Sequence, residues 1–370
     1  MKKFWQLGFR AFIIITIWWV AIALFAHYRV DTYGVNPTFP YYHTILKQSD
    51  PVNGVWAHFD GVHYLKLAEA GYVDIGTQAF FPVYPILIHV VHDLTGLSYL
   101  VSGRVISYIS LVLAATLIMY LVEVRSWKVV IALLFFPTSF FLAGVYTESL
   151  FLFETLLFFL LIRKKQFFMA AIVAGIASGT RIVGSMLMIS LLVELVQTKQ
   201  KLQVKHFFYL LISVTGLLSY MYFLWKEFKD PIMFIHVQSM FASGRSNGEI
   251  IFLPQLIYRY MHMFTTVYPY SLVLGRAIFE FVIYGIFIYL LWKIWKKIPY
   301  SWSIYVFTSM MLPALSGTLS SIPRYLIVVI PLMVSALRPI PSKVIVVYIL
   351  ISGAFCLYLL SLFSAGLFVA

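Results

Sequence analysis

Residues 167–197 read FFMAAIVAGIASGTRIVGSMLMISLLVELVQ, and they lie between the basic breaks Arg163-Lys164-Lys165 and Lys199 with Lys201. Apart from Arg181 and Glu194 the stretch carries no charge. Such a run belongs in hydrocarbon, where the backbone must satisfy its own hydrogen bonds, so it is expected to be helical. Its 31 residues divide into two helices of about 15, each about 23 Å long, short of the ~30 Å apolar core of a bilayer. The turn Ser178-Gly179-Thr180-Arg181 is therefore expected below the outer surface, inside protein or a water-filled cavity.

The same alternation runs outward in both directions. Hydrophobic residues make up 62% of the chain and charged ones 11%, with a mean hydropathy of +0.90, far from the mix of a soluble domain. The formal charge of +13 does not point to nucleic acid, because the basic residues sit in short breaks between apolar runs. Those breaks are Lys2, Lys3 and Arg10; Arg125 and Lys128; Arg163 to Lys165; Lys199, Lys201 and Lys205; Lys293, Lys296 and Lys297; Arg338 and Lys343. Lys/Arg-rich short loops stay cytoplasmic.

The fold class expected is all-α, a polytopic membrane protein forming one transmembrane domain over residues 1–370. About eleven helices are expected, with the N-terminus cytoplasmic. Two long extracytoplasmic segments, 28–97 and 226–271, carry juxtamembrane helices, and helices 3 and 4 form a hairpin with its outer tip at Tyr146-Thr147-Glu148. The apolar run 11–26 is expected to be an uncleaved helix, since no small-residue cleavage site follows Ala26. Cys356 is the only cysteine, so no intramolecular disulfide can form. No Asn begins a glycosylation acceptor, and the loops are compact; a bacterial plasma membrane is the expected location, with the site on the extracytoplasmic side.

Asp60 stands before residues 61–70, which read as a short helix closed by Gly71. Helical spacing carried back to Trp56 would put Trp56, Asp60 and His63/Tyr64 on one face. A carboxylate among aromatic rings suits a sugar, whose C–H faces pack on rings while its hydroxyls need acceptors. A bland alternative makes Asp60 an N-cap. The stretch Phe80–Pro85 leads into about a dozen apolar residues ending near Asp93, too few for a span and better read as an interfacial or re-entrant helix. His58, His63, His89 and His92 match no familiar ligand spacing, so no metal is assigned.

Glu148 at the hairpin tip, Arg181 in the short turn and Arg324 in Ser320-Ser321-Ile322-Pro323-Arg324-Tyr325 are charges near the outer face. Charges at membrane depth carry a functional expectation. Snorkelling of Arg324 and a Glu148–Arg181 ion pair are the structural alternatives. Two cations and a carboxylate beside aromatics fit a lipid phosphate carrying a sugar.

These residues together resemble the GPI mannosyltransferase 2 (PIG-V) family and its bacterial homologues, within the GT-C class of membrane glycosyltransferases. The resemblance rests on Phe59-Asp60 … Tyr64 … Gly71-Tyr72, on Phe80–Pro85, on Tyr146–Phe151 and on Arg181 … Gly184. Asp230-Pro231 … Gln238 and Pro323-Arg324-Tyr325 complete it, in the family's order, from about 56 to 331. Phe59 and His63 stand where many relatives carry Trp. The resemblance implies a GT-C-like fold and an inverting transfer of mannose, or a similar hexose, from a polyprenyl-phosphate donor to an acceptor hydroxyl on a lipid or glycan. Asp60 would be the catalytic base, Arg181 and Arg324 would bind the donor phosphate, and no cofactor would be required. Trp56, His58, His63, Tyr64, Tyr84, Tyr146, Glu148 and Gln238 would line the sugar and acceptor sites. The partners implied are that donor, its acceptor and membrane lipids, with no nucleic acid. A second class, a transporter or flippase of a lipid-linked or acidic solute, would need polar groups on both membrane faces. Glu123, Glu194 and Glu280 are too scattered to mark the inner half of such a path. A third class is a non-catalytic assembly subunit.

Overall fold

The first apolar run folds into one long helix, Lys2–Tyr33, because nothing between Phe4 and Ala26 breaks it. The computed structural model of the chain describes residues 2–35, 46, 51–122, 126–198, 203–241, 245–246, 248–336 and 341–369. Glu123, Arg125, Lys199, Lys201 and Arg338 lie outside the described residues. Among the described residues every regular element is helical. Four helices among the described residues are long and apolar enough to cross a membrane: Phe4–Tyr33, Tyr99–Leu121, Leu272–Ile294 and Ser342–Ser364. A fifth span forms if Val204–Ile212 and Thr215–Phe228, bent by 57° at their junction, are taken together.

The remaining apolar runs are cut into shorter pieces. The expected hairpin of helices 3 and 4 contains only Ser126–Leu134 and Glu148–Arg163, joined by turns and the 3-10 helix Ser139–Ala143. Pro137 cannot donate a backbone hydrogen bond, which favours a stop there. Its tip is not at a surface: Tyr146, Thr147 and Glu148 are 1%, 2% and 1% exposed. The tenth helix, expected at roughly 324–338, is a continuous apolar helical stretch, Ile322–Ala336, whose middle turn Leu326–Val329 is 3-10.

The 167–197 stretch behaves as its length demands. Phe167–Thr180 ends at extended Arg181, and the 3-10 turn Ile182–Met186 leads into Leu187–Gln197. Small residues make this compact. A Cβ on Gly184 would collide with the carbonyl of Ala177. A Cβ on Gly175 would lie 2.6 Å from the carbonyl oxygen of Ile212, and one on Gly216 would be 2.5 Å from the Gly179 nitrogen. Phe167–Thr180 therefore packs backbone against backbone on Thr215–Phe228, as small residues allow in membranes.

The expected short helices of the first outer segment are present as Asp60–Ala70 and Val83–Thr95. They pack on each other and on Tyr99–Val122. The site is formed where these helices meet the broken hairpin, the Arg181 turn and the Arg324 turn.

Candidate functional site

Two backbone positions in the left-handed region flank the central charges. Phe59 has φ 53°, and Ser321 has φ 67°. Non-glycine residues in this region cost energy and persist where surrounding structure enforces them. Phe59, not Asp60, is the N-cap of Asp60–Ala70, and no side-chain cap bond is present. The N-cap reading of Asp60 is thus corrected: its carboxylate turns to Arg324 instead.

The Asp60 Oδ2 accepts from Arg324 Nη2 at 2.6 Å, across 264 residues of sequence. The Arg324 Nε lies 3.0 Å from Glu148 Oε1, and the same oxygen accepts from Arg181 Nη1 at 2.7 Å. Arg181 also donates to the Thr147 hydroxyl at 3.1 Å. The Glu148–Arg181 ion pair anticipated as a structural alternative therefore forms, but within a longer chain of alternating charges: Asp60, Arg324, Glu148, Arg181. Two carboxylates offset two guanidiniums, which permits their burial. Rings complete the enclosure. Arg324 sits 5.2 Å from the Phe141 ring centre and 5.3 Å from that of Tyr146, while Arg181 stacks 4.5 Å from Tyr325.

This charged chain forms part of the wall of a cavity of about 710 Å³. Around Asp60 the wall is aromatic, with Phe59, His63, Tyr64, Phe80 and Tyr146. His63 stacks on Phe80 at 4.7 Å. Another part of the wall is apolar, with Phe234, Ile235, Ile250, Leu312, Pro313 and Leu315. The Asp60 side chain is 25% exposed. Burial alone would raise its pKa, but the Arg324 guanidinium, with smaller help from His63 and Arg245, holds it below the usual carboxylate value. Asp60 is thus ionised at neutral pH.

The structure brings Asp60, His63, Tyr64, Tyr146, Glu148, Arg181, Gln238 and Arg324 to one cavity. Three expected residues are not among its lining. Trp56 is 2% exposed in the core; its carbonyl accepts from Val145 N at 2.7 Å, and its ring lies 5.0 Å from Arg104. His58 is fully buried, its Nδ1 3.0 Å from the Phe363 carbonyl. Burial lowers its pKa to about 4, so the ring is neutral. Tyr84 is fully buried and donates to the Gly103 carbonyl at 3.0 Å. The shared face with Trp56 fails because Val55–Ala57 is a 3-10 turn and Phe59 reverses the backbone before the helix starts. Trp56, His58 and Tyr84 hold up the wall from behind. Tyr146 bridges the two roles, lining the cavity while its hydroxyl donates to the His58 carbonyl at 2.5 Å.

The two arginines expected to hold a phosphate are already engaged by Asp60 and Glu148. Sequence reasoning missed Arg245 and Arg276, which also line the cavity. Arg276 pairs with Glu280 at 3.6 Å. Arg245 donates to the side-chain oxygen of Gln238 and, at 3.3 Å, to the Tyr325 hydroxyl. A signal existed for each: Arg245 is a cation in the 226–271 segment expected outside, and Arg276 is a charge within the apolar run Leu272–Ile294.

His58, His63, His89 and His92 are employed separately. His89 Nδ1 meets the Ala68 carbonyl at 2.8 Å and His92 Nδ1 the Leu97 carbonyl at 2.6 Å. No group of three metal-binding side chains occurs among the described residues. Compared with protein-family models, with curated proteins and with solved structures, the chain gives no match.

Proposed function

We propose that the protein is a membrane glycosyltransferase of the GT-C kind, akin to the PIG-V family, with its cavity open to the extracytoplasmic side. In this reading the shorter apolar helices complete about eleven membrane-embedded segments around the site. The observation that carries it is the Asp60–Arg324 pair on the wall of a cavity that is aromatic at one part and apolar at another. Rings suit a sugar, and the apolar wall suits a lipid carrier.

The reaction is a single displacement. An acceptor hydroxyl attacks the anomeric carbon of a polyprenyl-phosphate mannose, or similar hexose, opposite the phosphate. Its proton passes to the Asp60 carboxylate, and the bond to phosphate breaks with its electron pair, releasing polyprenyl phosphate. A carboxylate with a lowered pKa is a weak base, but glycosyl transfer has an oxocarbenium-like transition state in which the proton moves late. Arg324 keeps Asp60 ionised and aimed. Phosphate leaves as an anion and needs no proton, so nearby cations suffice to stabilise it.

The test is a panel of polyprenyl-phosphate sugars with purified full-length protein in lipid nanodiscs, following release of lipid phosphate and the mass of the product. Transfer by the wild type and its loss in D60N support the reading. Full activity in D60N removes Asp60 as base. Solute movement across liposomes without covalent transfer from any donor would replace the reaction with transport.

A further inference from the structure

We infer that Arg245, held by Gln238 and Tyr325, is the cation that binds the phosphate of a long-chain lipid monophosphate in the cavity. The inference rests on reading the cavity as a lipid-phosphate site, and it reassigns that contact away from Arg181 and Arg324.

Charge balance makes the first argument. Arg324 is shared between Asp60 and Glu148, and Arg181 is bound to Glu148. A phosphate that approached either would have to compete with a carboxylate already in contact. Arg276 has Glu280 as its own counter-charge. Arg245 differs. Its hydrogen bonds go to the neutral Gln238 and Tyr325, and among the described residues no carboxylate pairs with it. Asp60 and Glu280 act on Arg245 only through the longer-range field, so the half-buried guanidinium is oriented by neutral partners with no carboxylate in contact among the described residues, and its fork matches the oxygens of a phosphate.

Position makes the second argument. Ser246 N donates to the Ser316 carbonyl and Ile251 N to the Leu315 carbonyl, each at 2.9 Å. The chain that carries Arg245 is thereby fastened along the Leu315–Ser316 turn, beside the apolar wall of Ile250, Leu312 and Leu315. On its other side Arg245 reaches Tyr325, whose ring lies 5.2 Å from Arg324, the partner of Asp60. A phosphate on Arg245 would have the apolar wall for its lipid chain and the Asp60 end of the cavity for whatever it carries.

The experiment measures binding of undecaprenyl phosphate, undecaprenol and inorganic phosphate to the full chain in zwitterionic nanodiscs. The proteins are wild type, R245Q, R245K and the exposed control K226Q. Undecaprenyl phosphate should bind the wild type and K226Q alike. R245Q should weaken it about tenfold or more, and R245K, which keeps the charge but not the fork, should recover only part of the loss. Undecaprenol should bind weakly and equally to wild type and R245Q. Unchanged melting of R245Q shows that the fold is intact. Equal binding of undecaprenyl phosphate to R245Q and wild type overturns the inference, and so does undecaprenol binding as tightly as its phosphate. Inorganic phosphate binding as tightly as the lipid would overturn the lipid source. If R245Q loses binding while no donor supports sugar transfer, the reaction falls and the phosphate site stands. If transfer occurs and R245Q keeps both its binding and its donor KM, the site falls and the reaction stands.

Discussion

Replacing Glu148 by Gln keeps the side chain's size and removes one charge from the centre of the buried chain. Glu148 is 1% exposed, and its Oε1 meets Arg181 at 2.7 Å and Arg324 at 3.0 Å. In the wild type two carboxylates balance two guanidiniums. In E148Q one carboxylate remains, and two buried cations face a single neutral amide oxygen. Charges about 4 Å apart at an effective dielectric near 20 interact by about 4 kcal/mol, and two such attractions are lost. Reduced desolvation of the neutral amide returns part of this, so the expected loss is about 3–5 kcal/mol, the usual cost of breaking a buried pair from one side. At about 2–4 °C per kcal/mol, falling with chain length, the apparent melting temperature should drop on the order of 5–10 °C. The single cysteine supplies the assay. Cys356 is buried, so a thiol-reactive fluorophore reports its exposure as the purified protein is heated. Removing the orphaned cation as well, in E148Q/R181Q, should be less damaging than the sum of the two single changes, because the sites are coupled. A melting temperature for E148Q within about 1 °C of wild type, or strictly additive losses, would refute the balanced-charge account.

Three further outcomes are expected. In R324Q the cation that depresses Asp60 is gone, so burial raises the carboxyl's pKa; the acid limb of the transfer pH profile should move to higher pH, and an unmoved limb would show that Asp60 does not set it. His58 stays neutral when folded to about pH 4 but protonates near 6.5 when unfolded, so the unfolded state binds the extra proton as pH falls. Stability should therefore decline from pH 6.5 to about 4, by roughly 3 kcal/mol at about 1.4 per pH unit, and H58Q should flatten that slope in thiol-exposure melts. Gly216→Ala puts a Cβ 2.5 Å from the Gly179 nitrogen, and the forced separation of two helices should cost about 1–3 kcal/mol or more, read by the same melts.

Much of the local architecture is legible in the sequence alone. The apolar runs 11–26, roughly 98–122 and roughly 272–292 were readable from length and charge placement, although the first helix continues to Tyr33, into the segment expected outside from residue 28. So were the short helices Asp60–Ala70 and Val83–Thr95, and the turn at Arg181 between helices too short to span. The buried hairpin tip was not. Tyr146-Thr147-Glu148 looks like a surface turn by composition, and only its enclosure by Arg181 and Arg324 hides it.

The site divides along the same line. Sequence alone nominated Asp60, Glu148, Arg181 and Arg324, because charge in an apolar context is rare and visible residue by residue. It could not say which carboxylate meets which guanidinium. Asp60 and Arg324 lie 264 residues apart, and no local periodicity links them. Nor could helical spacing place Trp56, since one residue of positive φ at Phe59 redirects everything before it. Local patterns follow from backbone hydrogen bonding and hydrocarbon thickness, which act over a few turns of chain. Which cation is balanced and which, like Arg245, is left facing the cavity depends on packing among distant segments, and the tertiary structure alone decides it.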